Sequence, residues 1–442
     1  MSQTTIAVIG SGYVGVSTAA VAANAGYKVY LIDVNPERIN VLKTGKSFFY
    51  EEGMDELLTE AIDSGSLFPT LKYDPAIREA DIVFSCVGTP DNPDGSSNLE
   101  YVFSAANTAA PLLKSSAIYV QKSTVPVGTG KQVRQSLPES IKYVSNPEFL
   151  REAKAVYDTL HFDRVVAGSD EESAIEEVFD IYRAIDEHRQ RIAEISGVKV
   201  ETPSHGKYIA TNLESAELIK VTSNAFLALK ISFTNSIAKL ADASGADIEQ
   251  VMNAVGDDQR IGGAFFNAGR GYGGGCFPKD VAGLISSSTS YGVEQPILTA
   301  AQDTNESMAG YIVEKAHAAA GDLRGKKVAV LGLAFKAGTS DARKSPGVKI
   351  ANILAKLGAD VNAFDPKANE EAEEELRSGV VICDDISSAV SEVEIIFITT
   401  EWQELLDFDY SKTSGSILVD AVNGLTPSDF AESQLRYIGV GK

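Results

Sequence analysis

The strongest chemical signal in this sequence is a glycine-rich loop that ends in a cysteine. Residues 269–280 read Gly-Arg-Gly-Tyr-Gly-Gly-Gly-Cys-Phe-Pro-Lys-Asp. Glycine is costly in conformational entropy, so this density indicates backbone brought close to a ligand. Pro278 suits the first turn of a helix, which puts Cys276 at a helix N-terminus, where the dipole and Lys279 favour the thiolate. We therefore predict that Cys276 is a nucleophile, with Asp280 one turn further along the same helix.

The other two cysteines have no comparable surroundings. Cys86 lies inside an apparent strand, and Cys383 is likewise an isolated cysteine. An isolated cysteine is most often a small buried hydrophobe, and we interpret both residues in that way.

A lysine and a carboxamide form a second candidate group. Lys220 and Asn224 are four residues apart in a stretch, about 211–244, whose apolar residues recur at helical spacing. On one helix face such a pair can stabilise an alkoxide or an oxyanion, although a solvated polar edge is the commoner reason for it. The predicted helix is long enough to join two domains and to pack against its copy in a dimer. Burial within one subunit is the alternative.

A dinucleotide-binding pattern opens the chain. Residues Gly10, Ser11, Gly12, Tyr13, Val14 and Gly15 form a G-x-G-x-x-G motif between an apolar strand and an alanine-rich helix. The glycines permit a tight turn, close approach of a pyrophosphate and close helix packing. Asp33 follows eighteen residues after Gly15, where a carboxylate accepts ribose hydroxyls and repels a 2′-phosphate. The pattern predicts NAD as the cofactor, rather than NADP.

The elements that position these residues repeat along the chain. Apolar strand patterns at 6–10, 28–33, 81–84 and 117–120 are echoed at 327–332, 361–365, 394–398 and 417–420. Short apolar runs separated by helix-length segments predict parallel sheets. We predict two Rossmann-like doubly wound α/β domains joined by a long central helix. The predicted segments are an NAD-binding domain (1–205), a central helical segment with the cysteine (206–310) and a substrate domain (311–442).

Composition narrows the class of protein. The 442 residues carry 39 Lys and Arg against 61 Asp and Glu, a formal charge of −22 that argues against nucleic-acid or membrane-surface binding. No apolar run approaches a membrane span, and no cysteine or histidine spacing indicates a metal site. Three cysteines and no signal-peptide pattern predict a cytoplasmic protein.

Several further motifs occur in a characteristic order. They are 87–90 (Val-Gly-Thr-Pro), 122–128 (Lys-Ser-Thr-Val-Pro-Val-Gly), 146–152 (Asn-Pro-Glu-Phe-Leu-Arg-Glu), 215–220 (Ser-Ala-Glu-Leu-Ile-Lys), 258–262 (Asp-Gln-Arg-Ile-Gly) and 332–336 (Gly-Leu-Ala-Phe-Lys). With the glycine motif and the cysteine loop, they make essentially the whole chain resemble the UDP-glucose/GDP-mannose dehydrogenase family. The resemblance implies NAD-dependent four-electron oxidation of UDP-glucose to UDP-glucuronate, through a cysteine thiohemiacetal and thioester, in a homodimer or higher homo-oligomer.

The resemblance also implies roles for individual residues. Catalytic roles fall on Cys276, Lys220, Asn224, Asp280, Thr124 and Glu152, the last two ordering water. Cofactor contacts beyond the glycine motif and Asp33 fall on Arg38, Thr89, Thr124, Glu152, Lys279 and Arg343. Substrate contacts fall on Glu148, Phe149, Leu150, Arg151, Glu152, Lys220, Asn224, Arg260, Phe265, Phe266, Asn267, Ala268, Gly269, Gly273 and Lys336. The chain departs from the family pattern at Ser236, where an acid is common, and in a more polar stretch at 186–207.

Three alternatives stay open. The same chemistry can act on GDP-mannose or a UDP-N-acetylhexosamine, and a two-electron 3-hydroxyacid dehydrogenase shares the Rossmann domain and the Lys/Asn pair. A non-catalytic NAD sensor is disfavoured by the cysteine group. Residues 324–349 hold seven Lys or Arg and one acid, which suits a sugar-nucleotide diphosphate but also a solvated basic loop.

Overall fold

The computed structural model describes residues 4–200, 206–431 and 433–442, and the chain divides into two compact units, Met1–Thr222 and Ser223–Lys442. Each unit is built around its own sheet and has two hydrophobic cores of its own. Together with the long helix described below, these sheets confirm the predicted fold class. The three-segment division at 205 and 310 stays a prediction, and its first boundary falls on residues 201–205, outside the described residues.

The first unit contains a sheet of eight strands in the order β3-β2-β1-β4-β5-β6-β7-β8. The strands are β1 (Thr5–Ile9), β2 (Lys28–Ile32), β3 (Leu67–Thr70), β4 (Ile82–Ser85), β5 (Ile118–Gln121), β6 (Lys142–Ser145), β7 (Arg164–Gly168) and β8 (Lys207–Thr211). All neighbours pair in parallel except β6 and β7. The sheet reverses its order between β1 and β4, where ligands of such folds bind.

Helices cover both faces of this sheet. They are α1 (Tyr13–Asn24), α2 (Pro36–Leu42), α3 (Met54–Asp63), α4 (Ala76–Glu79), α5 (Glu100–Ala109), α6 (Thr129–Gln135), α7 (Ala155–Leu160), α8 (Glu172–Glu187) and α9 (Arg189–Ser196). Because strand residues alternate, Ile6 and Val8 of β1 enter one core while Ala7 and Ile9 enter the other. A strand buried on both faces has to be apolar throughout, which is why β1 was recognisable in the sequence.

A single helix, α10 (Leu213–Ser244), begins in the first unit and ends in the second. Its 32 residues span about 48 Å at 1.5 Å per residue, and its bounds agree with the predicted helix at 211–244. Gly245, in the left-handed region at φ 79°, follows its last residue. Within the part of the chain that the structure describes, no helix is long and apolar enough to cross a membrane.

The second unit contains a six-stranded, fully parallel sheet in the order β11-β10-β9-β12-β13-β14. Its strands are β9 (Lys327–Leu331), β10 (Asp360–Phe364), β11 (Val380–Ile382), β12 (Ile395–Ile398), β13 (Ile417–Asp420) and β14 (Arg436–Ile438). Its helices beyond α10 are α11 (Ile248–Gly256), α12 (Phe277–Ser290), α13 (Pro296–Ala320), α14 (Pro346–Lys356), α15 (Asn369–Glu373), α16 (Ile386–Ala389) and α17 (Gln403–Leu406). The order matches that of β1–β6, so the internal repeat predicted from the strand patterns is confirmed.

Each sheet has an aspartate directly after its second strand that binds the turn after its first strand. In the second unit this residue is Asp365, which is 1% exposed. Its donors, at 2.7–3.0 Å, are the backbone N–H groups of Leu333, Ala334, Lys367 and Ala368 and the indole N–H of Trp402. The carboxylate thereby fixes the connection that follows β9.

Candidate active site

The glycine turn between β1 and α1 is sterically specified by the protein itself. Gly10 has φ 98°, and a Cβ there would lie 2.7 Å from the carbonyl oxygen of Cys86. A Cβ on Gly15 would lie 1.9 Å from the carbonyl oxygen of Gly10. At Gly12, the first residue before α1, a Cβ would meet no protein atom within 4 Å. The turn therefore leaves the helix N-terminus approachable at Gly12, as a cradle for a pyrophosphate requires.

Asp33, after β2, binds the same turn. One oxygen accepts from the backbone N–H and the hydroxyl of Ser11 at 2.7 and 2.6 Å, and the other accepts from the Asn35 N–H at 2.9 Å. Burial alone would raise the pKa of this carboxyl, but these bonds and the charge of Arg38 outweigh it, so the pKa lies below its ordinary value. Arg38 itself lies over the Phe48 ring at 5.0 Å. A carboxylate at this position is suited to accept further hydroxyl donors.

The ends of β4 and β5 bring two predicted cofactor residues together. The Thr89 hydroxyl donates to the carbonyl oxygen of Thr124 at 3.0 Å, and Thr89 is 8% exposed. Ser123, beside Thr124, donates its hydroxyl to the carbonyl oxygen of Val87 at 2.7 Å. Both predicted threonines therefore lie in one hydrogen-bonded layer at the carboxyl edge of the first sheet, next to the switch point.

A buried ion pair joins the 146–152 segment to α10. Lys220 Nζ lies 3.3 Å from Glu148 Oε1, and the two side chains are 5% and 6% exposed. The Phe149 ring packs under both the Lys220 ammonium, at 5.4 Å, and the Arg164 guanidinium, at 4.0 Å. The structure thus brings Lys220, Glu148 and Phe149 together.

The rest of this segment faces different neighbours. The Leu150 N–H donates to the Glu148 carboxylate, which orders the loop locally. Arg151 is exposed, and its guanidinium pairs through two nitrogens with Asp158. Glu152 is half-buried, next to Ala153, whose φ of 63° is left-handed.

Lys122 opens the 122–128 motif, but no role was predicted for it from the sequence. Its ammonium is buried and donates to the Tyr182 hydroxyl at 2.7 Å and to Asn146 Oδ1 at 3.5 Å. The Tyr182 hydroxyl also donates to Asn146 Oδ1, at 2.7 Å, and Asn146 donates to the Val166 carbonyl oxygen. This network holds the start of the segment that carries Glu148. A lysine directly after an apolar strand was the available signal.

In the second unit, Cys276 occupies the N-cap position of α12 with Pro278 in the first turn, as the sequence indicated. Asp280, 3% exposed, accepts from Asn224 Nδ2 at 2.5 Å and from Lys279 Nζ at 2.6 Å. The Asp280 N–H donates to the Cys276 carbonyl oxygen at 2.8 Å. The structure therefore places Asn224 and Lys279 beside the buried carboxylate of Asp280. This carboxylate lies one helical turn along α12 from the half-buried Cys276.

The three glycines before Cys276 are required by close contacts with other parts of the protein. A Cβ on Gly273 would lie 2.5 Å from the Lys344 carbonyl oxygen, and one on Gly274 would lie 2.8 Å from the Phe335 ring. A Cβ on Gly275 would lie 2.8 Å from the Arg343 guanidinium. The expectation that glycine density reflects ligand approach therefore needs revision, because the 335–344 segment already fills the space beside these three.

The 265–269 loop lies against the end of β13. The Gly269 N–H donates to Asn235 Oδ1 at 2.8 Å, and a Cβ on Gly269 would lie 2.6 Å from the Ala421 carbonyl oxygen. Asn423 Nδ2 donates to the Ala268 carbonyl oxygen at 3.3 Å. Phe265 has φ 67°. The loop is thus fixed mainly by its backbone.

The side chains of this loop and its neighbours make separate contacts. Phe265 lies 6.2 Å from the Phe277 ring, and Phe266 lies 4.2 Å from the Lys230 ammonium. Asn267, the next residue along the loop, is exposed. Arg260 stands apart, 87% exposed and paired with Asp258.

The basic stretch at 324–349 is largely neutralised. Lys326, Lys327, Lys349 and Arg343 pair with Glu394, Glu392, Glu306 and Asp341. The Lys336 ammonium lies 5.6 Å from the Phe335 ring. The local charge excess seen in the sequence is therefore smaller than the count implied, and diphosphate attraction would depend on single residues.

Arg270 is a second residue that sequence reasoning passed over. It is 6% exposed, donates to the Phe335 carbonyl oxygen at 2.8 Å and lies 3.5 Å from Glu401. An arginine between two glycines was the only signal. Among residues 4–200, 206–431 and 433–442, no group of three or more His, Cys, Asp or Glu side chains is arranged to hold a metal ion.

Family models match the chain in three consecutive parts. They describe the UDP-glucose/GDP-mannose dehydrogenase family: its NAD binding domain at 4–186, its central domain at 214–307 and its UDP binding domain at 329–427. Thr124, Lys220, Asn224 and Cys276 fall within these matches.

Whole-chain similarity extends to individual proteins. UDP-glucose 6-dehydrogenase TuaD of Bacillus subtilis is 37% identical over 99% of this chain and 93% of its own length. A UDP-glucose 6-dehydrogenase of Rhizobium meliloti is 36% identical over 99% of both. The solved structure of a UDP-glucose dehydrogenase from the archaeon Pyrobaculum islandicum is 36% identical, with a TM-score of 0.89 over 99% of this chain and 98% of that one.

Proposed function

Because the chain belongs to the UDP-glucose/GDP-mannose dehydrogenase family, we propose that it oxidises UDP-glucose to UDP-glucuronate, with two NAD consumed per substrate. It is an NAD-dependent nucleotide-sugar 6-dehydrogenase. The turn at Gly10, Gly12 and Gly15, with Asp33 behind it, fits the dinucleotide. Arg38, Thr89, Lys279 and Arg343 are the further residues proposed to hold it.

The observation that carries the covalent mechanism is the position of Cys276. A half-buried thiol at a helix N-terminus, one turn from Asp280, is a suitable nucleophile for an aldehyde carbon. Oxidising a primary alcohol to an acid at one carbon requires an aldehyde stage, and a bond to the protein prevents its escape. NAD, when bound, supplies the hydride acceptor for each oxidation.

The chain's own residues perform the remaining steps. Lys220 and Asn224 stabilise the negative oxygen that forms when the alcohol loses its proton and when the Cys276 thiolate adds to the aldehyde. After the second oxidation the carbon is held as a thioester. Thr124 and Glu152 order a water, Glu152 takes its proton, and the attacking oxygen displaces the Cys276 thiolate to release the acid.

Substrate recognition is proposed for two groups of residues. In the first unit these are the 148–152 segment and Lys220, where the buried ion pair fixes Glu148. In the second unit they are Asn224, Arg260, the 265–269 loop, Gly273 and Lys336. A fixed backbone in the 265–269 loop favours hydrogen bonds from main-chain groups to the nucleotide.

The test is the ratio of NADH formed to UDP-glucose consumed. We expect two NADH per UDP-glucose, with UDP-glucuronate as product, and slower turnover of GDP-mannose and UDP-N-acetylglucosamine assayed in parallel. The matched variant Cys276→Ser should bind NAD and UDP-glucose in calorimetry but release no acid. A ratio of one would indicate the two-electron reaction, faster turnover of another sugar would reassign the substrate, and no turnover of any would refute the assignment.

We also propose a homodimer formed along α10. Phe226, Phe233 and Leu240 are seven residues apart and 59%, 49% and 63% exposed, so they form one apolar stripe. Phe233→Glu should convert the dimer to a monomer in analytical ultracentrifugation, and Phe233→Leu should not. A dimer that survives Phe233→Glu would place the interface elsewhere. A cytoplasmic location is proposed from the small number of cysteines, three in 442 residues, which provides no disulfide framework.

A further inference from the structure

Glu217 of α10 is a buried carboxylate that no step above uses. It is 2% exposed. One of its oxygens accepts from the Gly128 N–H at 2.7 Å and the other accepts from the Gly130 N–H at 2.6 Å. These N–H groups open α6, whose N-cap Gly128 has φ 90° and makes no side-chain cap of its own. Glu217 therefore supplies, from another helix, the acceptor that a capping side chain normally provides.

The surroundings of Glu217 are shaped for a carboxylate. A Cβ on Gly130 would lie 2.9 Å from Glu217 Oε1 and 3.0 Å from the Tyr143 ring, so the glycine makes room for the oxygen. Burial raises the pKa of Glu217 to about 7 against the opposing effect of the two amides. A carboxylate held at such a desolvation cost, with both oxygens bonded to one helix end, fixes the distance between α10 and α6 closely.

The contact joins two parts of the proposed active site within the first unit. Thr124 stands four residues before Gly128, on the segment that leads into α6. Lys220 stands three residues after Glu217, hence on the same side of α10, where its ammonium meets Glu148 at 3.3 Å. A shift of α10 along α6 would carry Lys220 away from Glu148 and from the level of Thr124.

We propose that Glu217 is a positioning residue: its two hydrogen bonds to the start of α6 hold α10 in register so that Lys220 stays at its working position. This inference rests on the proposed function of Lys220. Glu217 contacts no substrate atom in this scheme and acts only through the helix that carries Lys220.

The first test compares Glu217→Gln with Glu214→Gln. The glutamine keeps the side-chain volume but turns an amide N–H₂ toward a backbone N–H, which removes one of the two bonds. Glu214 lies one turn earlier on α10 and also contacts α6, through Lys131 at the surface, so it is a matched control. We expect kcat to fall roughly 10- to 100-fold in Glu217→Gln, with both KM values within about twofold and no change in Glu214→Gln.

A purely structural role predicts a different result. It would lower the fraction of folded enzyme and leave kcat per folded molecule unchanged, and that outcome would overturn the proposal. Should Glu217→Gln fail to fold, Gly130→Ala disturbs the same contact from the other side, since its Cβ meets Glu217 Oε1. A wild-type kcat per folded Gly130→Ala molecule would equally overturn it.

A second readout needs no substrate and separates this proposal from the proposed function. Lys220 is nearly inaccessible, so amine acetylation followed by peptide mass spectrometry reports its position. We expect Lys220 to lose its protection in Glu217→Gln and to keep it in Glu214→Gln. Unchanged protection in Glu217→Gln would refute the positioning role. Lost protection in an enzyme that turns over no UDP-glucose would support positioning and refute the proposed function instead.

Discussion

We expect burial, rather than distance, to determine how much the Lys220–Glu148 ion pair contributes to the free energy of unfolding. The first unit contains a shorter ion pair, Lys28–Glu79 at 2.7 Å, whose side chains are 34% and 44% exposed. The Lys220–Glu148 distance is 3.3 Å, but its side chains are 5% and 6% exposed. Removing one partner of a buried pair leaves an unpaired buried charge and costs about 3–5 kcal/mol, whereas an exposed pair contributes about 0–1 kcal/mol.

We therefore expect Lys220→Met and Glu148→Gln each to lower the free energy of unfolding by about 3–5 kcal/mol. The double variant has no unpaired charge, so its loss of unfolding free energy should be smaller than the two single losses added together. We expect this difference, the coupling energy, to be about 2 kcal/mol or more. Urea unfolding followed by far-UV circular dichroism at pH 7 measures all three. Lys28→Met and Glu79→Gln serve as controls in the same unit.

Two results would refute this reasoning. One is a loss in either single variant no larger than that in the surface controls. The other is a double variant that loses the full sum, because additivity would mean that the two side chains do not interact. The double variant should still lack turnover, since recovery of stability does not restore the ammonium that the proposed mechanism requires.

Three further predictions concern other contacts. Gly12→Ala should keep the wild-type unfolding midpoint but bind NAD at least about tenfold more weakly in calorimetry. Gly15→Ala should lower the unfolding midpoint, because a Cβ on Gly15 meets protein atoms and a Cβ on Gly12 does not. Equal unfolding midpoints for the two variants would contradict this. Because the pKa of Glu217 is raised in the folded protein, its contribution to the free energy of unfolding is fully present below pH 4.5 and is lost as the pH rises through about 7, a loss of roughly 3 kcal/mol at most. Glu217→Gln should therefore remove a fall of about that size from the free energy of unfolding measured in urea between about pH 5 and 8. An unchanged dependence on pH in the variant would contradict this. Asp280→Asn should abolish acid formation and cost about 2 kcal/mol in urea unfolding, because the amide N–H₂ opposes the Lys279 ammonium at 2.6 Å; near-wild-type turnover would remove Asp280 from the proposed site.

Much of the fold was predictable because its signals are local. Strands buried on both faces must be continuously apolar, so β1, β4 and β12 could be recognised to within one residue. The long helix was predictable from its spacing and from Gly245 at its end. The N-cap position of Cys276 followed from Pro278 in the first turn, which is also a local effect.

What could not be predicted depends on segments far apart in sequence. The donors to Asp33 and the pairing of Lys220 with Glu148 follow from strand order, which periodicity does not encode. The role of Lys122 could not be predicted, because the Tyr182 hydroxyl that accepts from its buried ammonium lies sixty residues away in the sequence. The glycines of the cysteine loop were attributed to a ligand because their actual neighbours, 335–344, follow some sixty residues later.

The aspartates after the second strand of each sheet, Asp33 and Asp365, differ in how many more hydrogen bonds they can accept. A carboxylate offers about four acceptor sites. Asp33 receives three donors from the protein, so it keeps capacity for a ribose hydroxyl. Asp365 receives five and keeps none. The same fold position is therefore open to recognition in one unit and saturated in the other, where a nucleotide has to be held by groups other than this acid.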